Sequence, residues 1–123
     1  MKTKTNELTG AALDWAVAKC EGEPEYLLDK PWRASELLPH YSTDWAQGGP
    51  IIERENIAIS SMPDGLCRAY IPQGTRFVPQ AGREIETFIW RFKQEGPTPL
   101  IAAMRCYVAS KLGDEVEIPE ELQ

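Results

Sequence analysis

Few side chains in this chain could do covalent chemistry. A nucleophilic site of the Ser-His-Asp or Cys-His kind needs an imidazole as its base. The only histidine, His40, lies in a Pro39-His40-Tyr41 loop with no partner nucleophile cued beside it. A small hydrolase would therefore have to rest on His40 or Asp44, and the sequence reads better as a non-enzyme. Glu53 and Glu55 flank Arg54, but carboxylates two apart on a helix point away from each other, so they read as a solvated face. No phosphate loop, zincin or dinucleotide fingerprint occurs. The three cysteines, Cys20, Cys67 and Cys106, form no C-x-x-C. With a single histidine they give no metal-ligand spacing, so no metal and no cofactor are expected. Their apolar neighbours read as the setting of buried, reduced thiols.

Binding chemistry is better represented. Tyr41, Thr43, Asp44, Trp45 and Gln47 place two aromatic rings, a hydroxyl, a carboxylate and an amide beside Gly48-Gly49. Such rings can stack on a base or hold a peptide, and Tyr41 and Trp45 could share one helical side. The plainer role for Trp45 is in the core, and for Asp44 at a helix cap. A second candidate is the start of the last helix at Thr98, where unpaired backbone donors and the dipole favour an anion. Arg54, Arg68, Arg91 and Arg105 are the cations that could join it.

These residues need elements to position them. Leu13, Ala16, Val17 and Cys20 form one apolar stripe between Thr9-Gly10 and Gly22, predicting a first helix with Asp14, Lys19 and Glu21 toward water and Trp15 at the stripe's edge. Residues 23–40 carry Pro24, Pro31 and Pro39 and read as irregular, with one helical turn over 33–38. Tyr26, Leu27, Leu28 and Trp32 are expected to lie over the core. A helix starts at Asp44, is interrupted by Gly48-Gly49, and resumes after Pro50 over 51–55. Residues 57–61 and 67–71 alternate around the Pro63-Asp64-Gly65 turn, predicting a hairpin. Residues 73–83 read as a loop. Residues 87–92 form a third strand, with Phe88, Trp90 and Phe92 toward the core. The last helix is capped by Thr98, begins at Pro99 and stops at Gly113. Its apolar residues nearly encircle the axis, interrupted by Arg105, Ser110 and Lys111, which predicts burial on several sides or a face given to self-association.

The fold class that follows is α+β: a small antiparallel sheet of three strands with helices packed on it. Its length of 123 residues suits one domain, here 1–112, followed by an acidic tail over 113–123. That tail carries five acids and no base, the composition of a solvated end. The net charge is −6, and the body without the tail is almost neutral, so nucleic acid is not an expected partner. Five bases between Arg68 and Lys93 could serve one small anion but not a duplex. No apolar run reaches the roughly 20 residues of a membrane helix, and no signal-peptide core follows the basic start.

Three blocks carry a resemblance: residues 7–18 (ELTGAALDWAVA), 41–55 (YSTDWAQGGPIIERE) and 96–105 (GPTPLIAAMR). Together they resemble the NinX-like family of small bacteriophage proteins, from about residue 4 onward, least closely over 60–92. A looser similarity extends to the phage α-β-α sandwich domain, where a Tyr-Ser-Thr-Asp block opens a long helix and a Pro-Leu-x-x-x-x-Arg block opens the last. Gly48-Gly49-Pro50 departs from that wider pattern. The resemblance implies an α-β-α sandwich-like protein and an accessory role in a phage-infected or lysogenic bacterium, and supplies no catalytic residues. The expected function is non-enzymatic binding of a host factor or small ligand in the host cytoplasm, modulating the host or its defence. A sponge for a nucleotide-derived defence signal is the alternative. The expected ligand-binding residues are Tyr41, Thr43, Asp44, Trp45, Gln47, Arg54, Thr98 and Arg105, of which a sponge would stack its base on Tyr41 or Trp45 and place its phosphate on Thr98, Arg54 and Arg105.

Overall fold

The computed structural model describes residues 2–122, with Phe88 described by its backbone alone. Five strands and five α-helices follow one another as β1 (Lys2–Lys4), α1 (Gly10–Cys20), α2 (Glu25–Leu28), α3 (Ala34–Leu37), α4 (Trp45–Glu55), β2 (Ala58–Ser61), β3 (Cys67–Gln80), β4 (Arg83–Gly96), α5 (Pro99–Leu112) and β5 (Glu115–Glu117). One antiparallel sheet has the order β2-β3-β4, and a small second one pairs β1 with β5. The fold is α+β, as the residue pattern implies.

Helix α5 organises the core. It touches β2, β3, β4, α1 and α4, and apart from half-buried Ile101 every residue from Leu100 to Ala109 is buried. The encircling apolar pattern is thus consumed inside the chain. Arg105 is buried along with it, although as a charge it reads as a break in the apolar ring.

Several expectations are corrected. Asp14 does not face water; it is buried, because it serves a backbone group described below. Tyr26 and Trp32 do not lie over the core but are exposed, while Leu27 and Leu28 do pack against it. Gly48-Gly49 does not interrupt the helix: α4 runs unbroken from Trp45 to Glu55, with Pro50 inside it. The reason is packing. A Cβ at Gly48 would fall on the Tyr41 carbonyl oxygen and lie 2.6 Å from Leu100 Cδ1, so the glycine allows a close approach rather than a bend.

The expected loop over 73–83 is mostly strand. β3 and β4 run 14 residues each and meet at Ala81-Gly82, both with positive φ (53° and 77°), as a two-residue hairpin turn requires. Gly74 (φ 90°) sits where the register shifts between Pro72 and Thr75, which is the work of a bulge. Pro72 and Pro79 are tolerated because β2 covers β3 only as far as Tyr70, leaving an edge. A second register shift lies opposite Phe92, whose φ is 59°. It resets the alternation, so the expected aromatic core face is split. Phe92 packs on the core, but Trp90 is 45% exposed and stacks on Tyr70 with centroids 4.6 Å apart. The side chain of Phe88 lies outside the described residues.

The acidic end is solvated on one side only. Glu115 and Glu117 are exposed, while Val116 and Ile118 are buried in the core. The pairing of β5 with β1 is reinforced by the Thr5 hydroxyl, which donates to the Gly113 carbonyl at 2.7 Å. Cys67 and Cys106 are buried and Cys20 is half-buried, all three as free thiols.

Candidate functional site

The two sequence blocks that open α4 and α5 meet in space. Before α4, the His40 carbonyl accepts hydrogen bonds from the Thr43 and Asp44 N–H groups, which turns the chain into the helix. The Asp44 carboxylate then accepts from the Ala46 N–H at 2.9 Å, the N-cap its type predicts. At α5 the Thr98 hydroxyl accepts from the Ile101 N–H at 3.1 Å, and Pro99 takes the first position. Because Gly48 lets α4 settle against Leu100, the two helix starts lie side by side. Between them runs a groove of about 230 Å³, lined by Ser42, Thr43, Trp45, Thr98, Leu100 and Ile101, with Pro99 between the last helix cap and Leu100. Trp45 stands on its rim, 55% exposed and outside the core.

The other candidate residues are placed elsewhere. Tyr41 precedes α4 and is buried; its hydroxyl donates to Glu23 Oε1 at 3.1 Å. Burial, with the Glu23 carboxylate beside it, pushes that hydroxyl's pKa upward, and its ring does not share an open face with Trp45. Gln47 is exposed on α4. Arg54 is committed to a network joining three helices: Nη1 and Nη2 reach Glu21 at 3.1 and 2.6 Å, Nε reaches Glu55 at 2.9 Å, and Nη2 reaches the Tyr107 hydroxyl at 3.2 Å. Arg54 holds the Glu21 carboxyl below its ordinary range. Lys111 completes the network at 3.6 Å from Glu55. Arg68 lies 3.7 Å from Glu95, and Arg91 lies over the Phe92 ring. Neither of them, nor Arg105, lines the groove at Thr98.

Arg105 points into a different region. Its Nε donates to the Leu8 carbonyl at 2.8 Å and its Nη1 to the Glu95 carbonyl at 2.7 Å. It lines a larger cavity, of about 490 Å³, where β4 ends. Of that cavity's lining Arg105 is evident as a candidate in the sequence. Lys93 closes the basic span that could serve one small anion, whereas Asn6, in the turn before α1, and Gln94, on β4, carry no motif.

The hydrolase candidates are not joined. Asp44 is engaged in its cap, and His40 Nε2 meets the Ser35 carbonyl at 2.7 Å. Among the described residues no group of three or more His, Cys, Asp or Glu side chains is placed to hold a metal. No helix among them is long and apolar enough to cross a membrane.

The three blocks that form α1 and the openings of α4 and α5 also fall inside one family match. The family model described as "Bacteriophage P22, NinX" matches residues 4–111. The chain belongs to this family. The match spans α1 through nearly all of α5, so the groove and Arg105 both lie within the matched residues. No curated protein matches the chain.

Proposed function

We propose that this NinX-family protein is a phage accessory factor that works by binding, in the cytoplasm of the infected or lysogenic host, and that its partner is a host protein docked on the outer part of the β3–β4 ribbon. One observation carries this reading. Residues 73–77 are exposed one after another, as are residues 83–86 of the facing strand, so both faces of the ribbon are bare. Phe77 (64% exposed), Ile85 and Trp90 put large apolar side chains there. A lone two-stranded ribbon is marginal in water, and its unpaired edges are templates for a further strand.

A photoreactive phenylalanine analogue placed at position 77 should crosslink one host protein in infected cells, and the same analogue at exposed Tyr26 should not. Equal capture at both positions, or none at 77, rejects this reading.

A small ligand in the α4–α5 groove is the second reading, supported by the exposed Trp45 ring beside Thr43 and Thr98. A nucleotide-derived signal would stack on the indole. A thermal-shift panel of nucleotides and cyclic dinucleotides tests it. Ligand at a hundred times Kd adds about 2.7 kcal/mol, a shift of several degrees, and a flat panel removes the sponge reading.

A further inference from the structure

The two faces of the β3–β4 ribbon carry opposite charge. Phe77 pairs with Glu86 and Pro79 with Glu84, and side chains directly opposite share a face. Glu84 and Glu86 therefore lie beside Phe77 on one face, which Trp90 continues along β4. Arg83, Ile85 and Arg91 lie on the other, joined by Arg76 through its pairing with Thr87. These acids and bases are exposed, and among the described residues none of them joins an ion pair. The ribbon's two edges differ as well. Gln80 and Arg83 flank the two-residue turn and so exchange hydrogen bonds with each other. The alternation along an antiparallel pair then turns the N–H and C=O groups of Glu84 and Glu86 away from β3, and those of Phe77 and Pro79 away from β4. On β3 the outward edge lacks a donor at Pro79 and is broken by the bulge at Gly74. On β4 neither proline nor glycine occurs from Arg83 to Glu95, and among the described residues no strand pairs with its outward side.

Resting on the reading that the ribbon docks a host protein, we propose that this partner adds an extended segment to the open edge of β4, in which two bases flank an apolar residue and an acid follows. Continuing the antiparallel order of the sheet, the bases stand opposite Glu86 and Glu84, the apolar residue opposite Ile85, and the acid opposite Arg83. Main-chain hydrogen bonds to the edge give affinity, and the alternating side chains give specificity. Opposite charges directly across a strand pair stabilise it, and like charges destabilise it. A second copy of this chain is therefore the wrong occupant. Joining two β4 edges antiparallel sets Glu84 and Glu86 of both copies on one face and Arg83 of both on the other. The charges that bar self-pairing are the ones that select the partner.

The test uses the full chain and two capped peptides, Thr-Thr-Lys-Val-Lys-Asp-Thr and its counterpart with Glu in place of both Lys. Backbone hydrogen exchange is followed by NMR. The Lys peptide should slow exchange of the Glu84 and Glu86 amides by about tenfold at about ten times Kd, and the Glu peptide should leave them unchanged. In the double variant Glu84→Lys, Glu86→Lys the preference should reverse. Equal slowing by both peptides, or none by either, overturns the proposal; the wild-type comparison decides alone if the variant does not fold. Crosslinking from position 77 in infected cells distinguishes failure of this partner from failure of ribbon docking. Capture of a host protein should be lost in the double variant. Capture retained there overturns strand pairing on β4 and leaves ribbon docking standing, whereas no capture by the wild type rejects both.

Discussion

Asp14 in α1 accepts a hydrogen bond at 2.8 Å from the backbone N–H of Ser42, 28 residues further on. The carboxylate thereby ties the first helix to the segment that turns into α4. Burial raises its pKa, with hydrogen bonding from Ser42 and the charge of His40 pulling the other way. A carboxyl that titrates higher in the folded than in the unfolded chain contributes stability that is fully present below the unfolded pKa, about 4. That contribution is lost as pH rises through the folded pKa. Asp14→Asn keeps an acceptor without the charge, and should match the wild type within about 1 kcal/mol at neutral pH while abolishing this loss. Asp14→Ala leaves the Ser42 N–H buried and unpaired and should cost about 1–3 kcal/mol. Urea unfolding of the three proteins at pH 4 to 8 measures both effects. An alanine variant as stable as the wild type would show that the tie is dispensable.

Gly48 and Gly49 are neighbours in α4 with opposite expected responses to alanine. A methyl at Gly48 meets the Tyr41 carbonyl and Leu100, whereas at Gly49 the nearest atom is Trp45 Cε3 at 3.9 Å, an ordinary contact. Gly48→Ala should therefore destabilise by about 1–3 kcal/mol through overpacking. Gly49→Ala should stabilise by roughly 0.5–1 kcal/mol through helix propensity and a smaller unfolded-state entropy. Thermal melts of the two single variants give the signs directly. Two changes of the same sign would contradict the packing described for α4.

The thiols should be unreactive while the chain is folded. Burial pushes Cys106 up to about 12 and Cys20 up to about 11, and the thiolate is the reactive form. At pH 8, iodoacetamide labelling of Cys106 should follow global unfolding and accelerate sharply in urea. Mass spectrometry of quenched samples resolves the sites. Rapid labelling of Cys106 in buffer would mean that α5 opens locally.

The outer ribbon should be the least protected strand pair. Hydrogen exchange of amides in 73–80 and 83–90 should run about a thousandfold faster than in α5, since locally opening segments lie far below the global free energy. A bound host protein should slow it. Protection equal to that of α5 in the isolated chain would show that the ribbon is packed and remove the docking argument.

The helices were legible because their signals are local. Thr98-Pro99 and Gly113 bound α5, and Asp44 caps α4, from their own chemistry alone. What escaped was set by distant partners. Glycine and proline at 74, 79 and 82 read as breakers, because only the fold reveals a bulge, an open edge and a tight turn there. Asp14 read as a surface charge and Arg105 as a break in the apolar ring, because the Ser42 N–H and the Leu8 carbonyl that they meet lie 28 and 97 residues away. The groove was half-visible: its two blocks stand out as words, but Gly48, which brings them together, reads as a hinge. The Arg105 cavity was less visible still, since Gln94 belongs to a strand predicted to stop at Phe92.

The pairing of β1 with β5 bears on how the chain is made. Thr5 meets Gly113 across 108 residues, so at 5–20 residues per second the first strand waits about 5–20 s on the ribosome for its mate. Until then Leu8 and its neighbours lack part of their cover, and closing so long a loop comes late and slowly. During synthesis, a nascent-chain chaperone would find its hold at the amino-terminal segment.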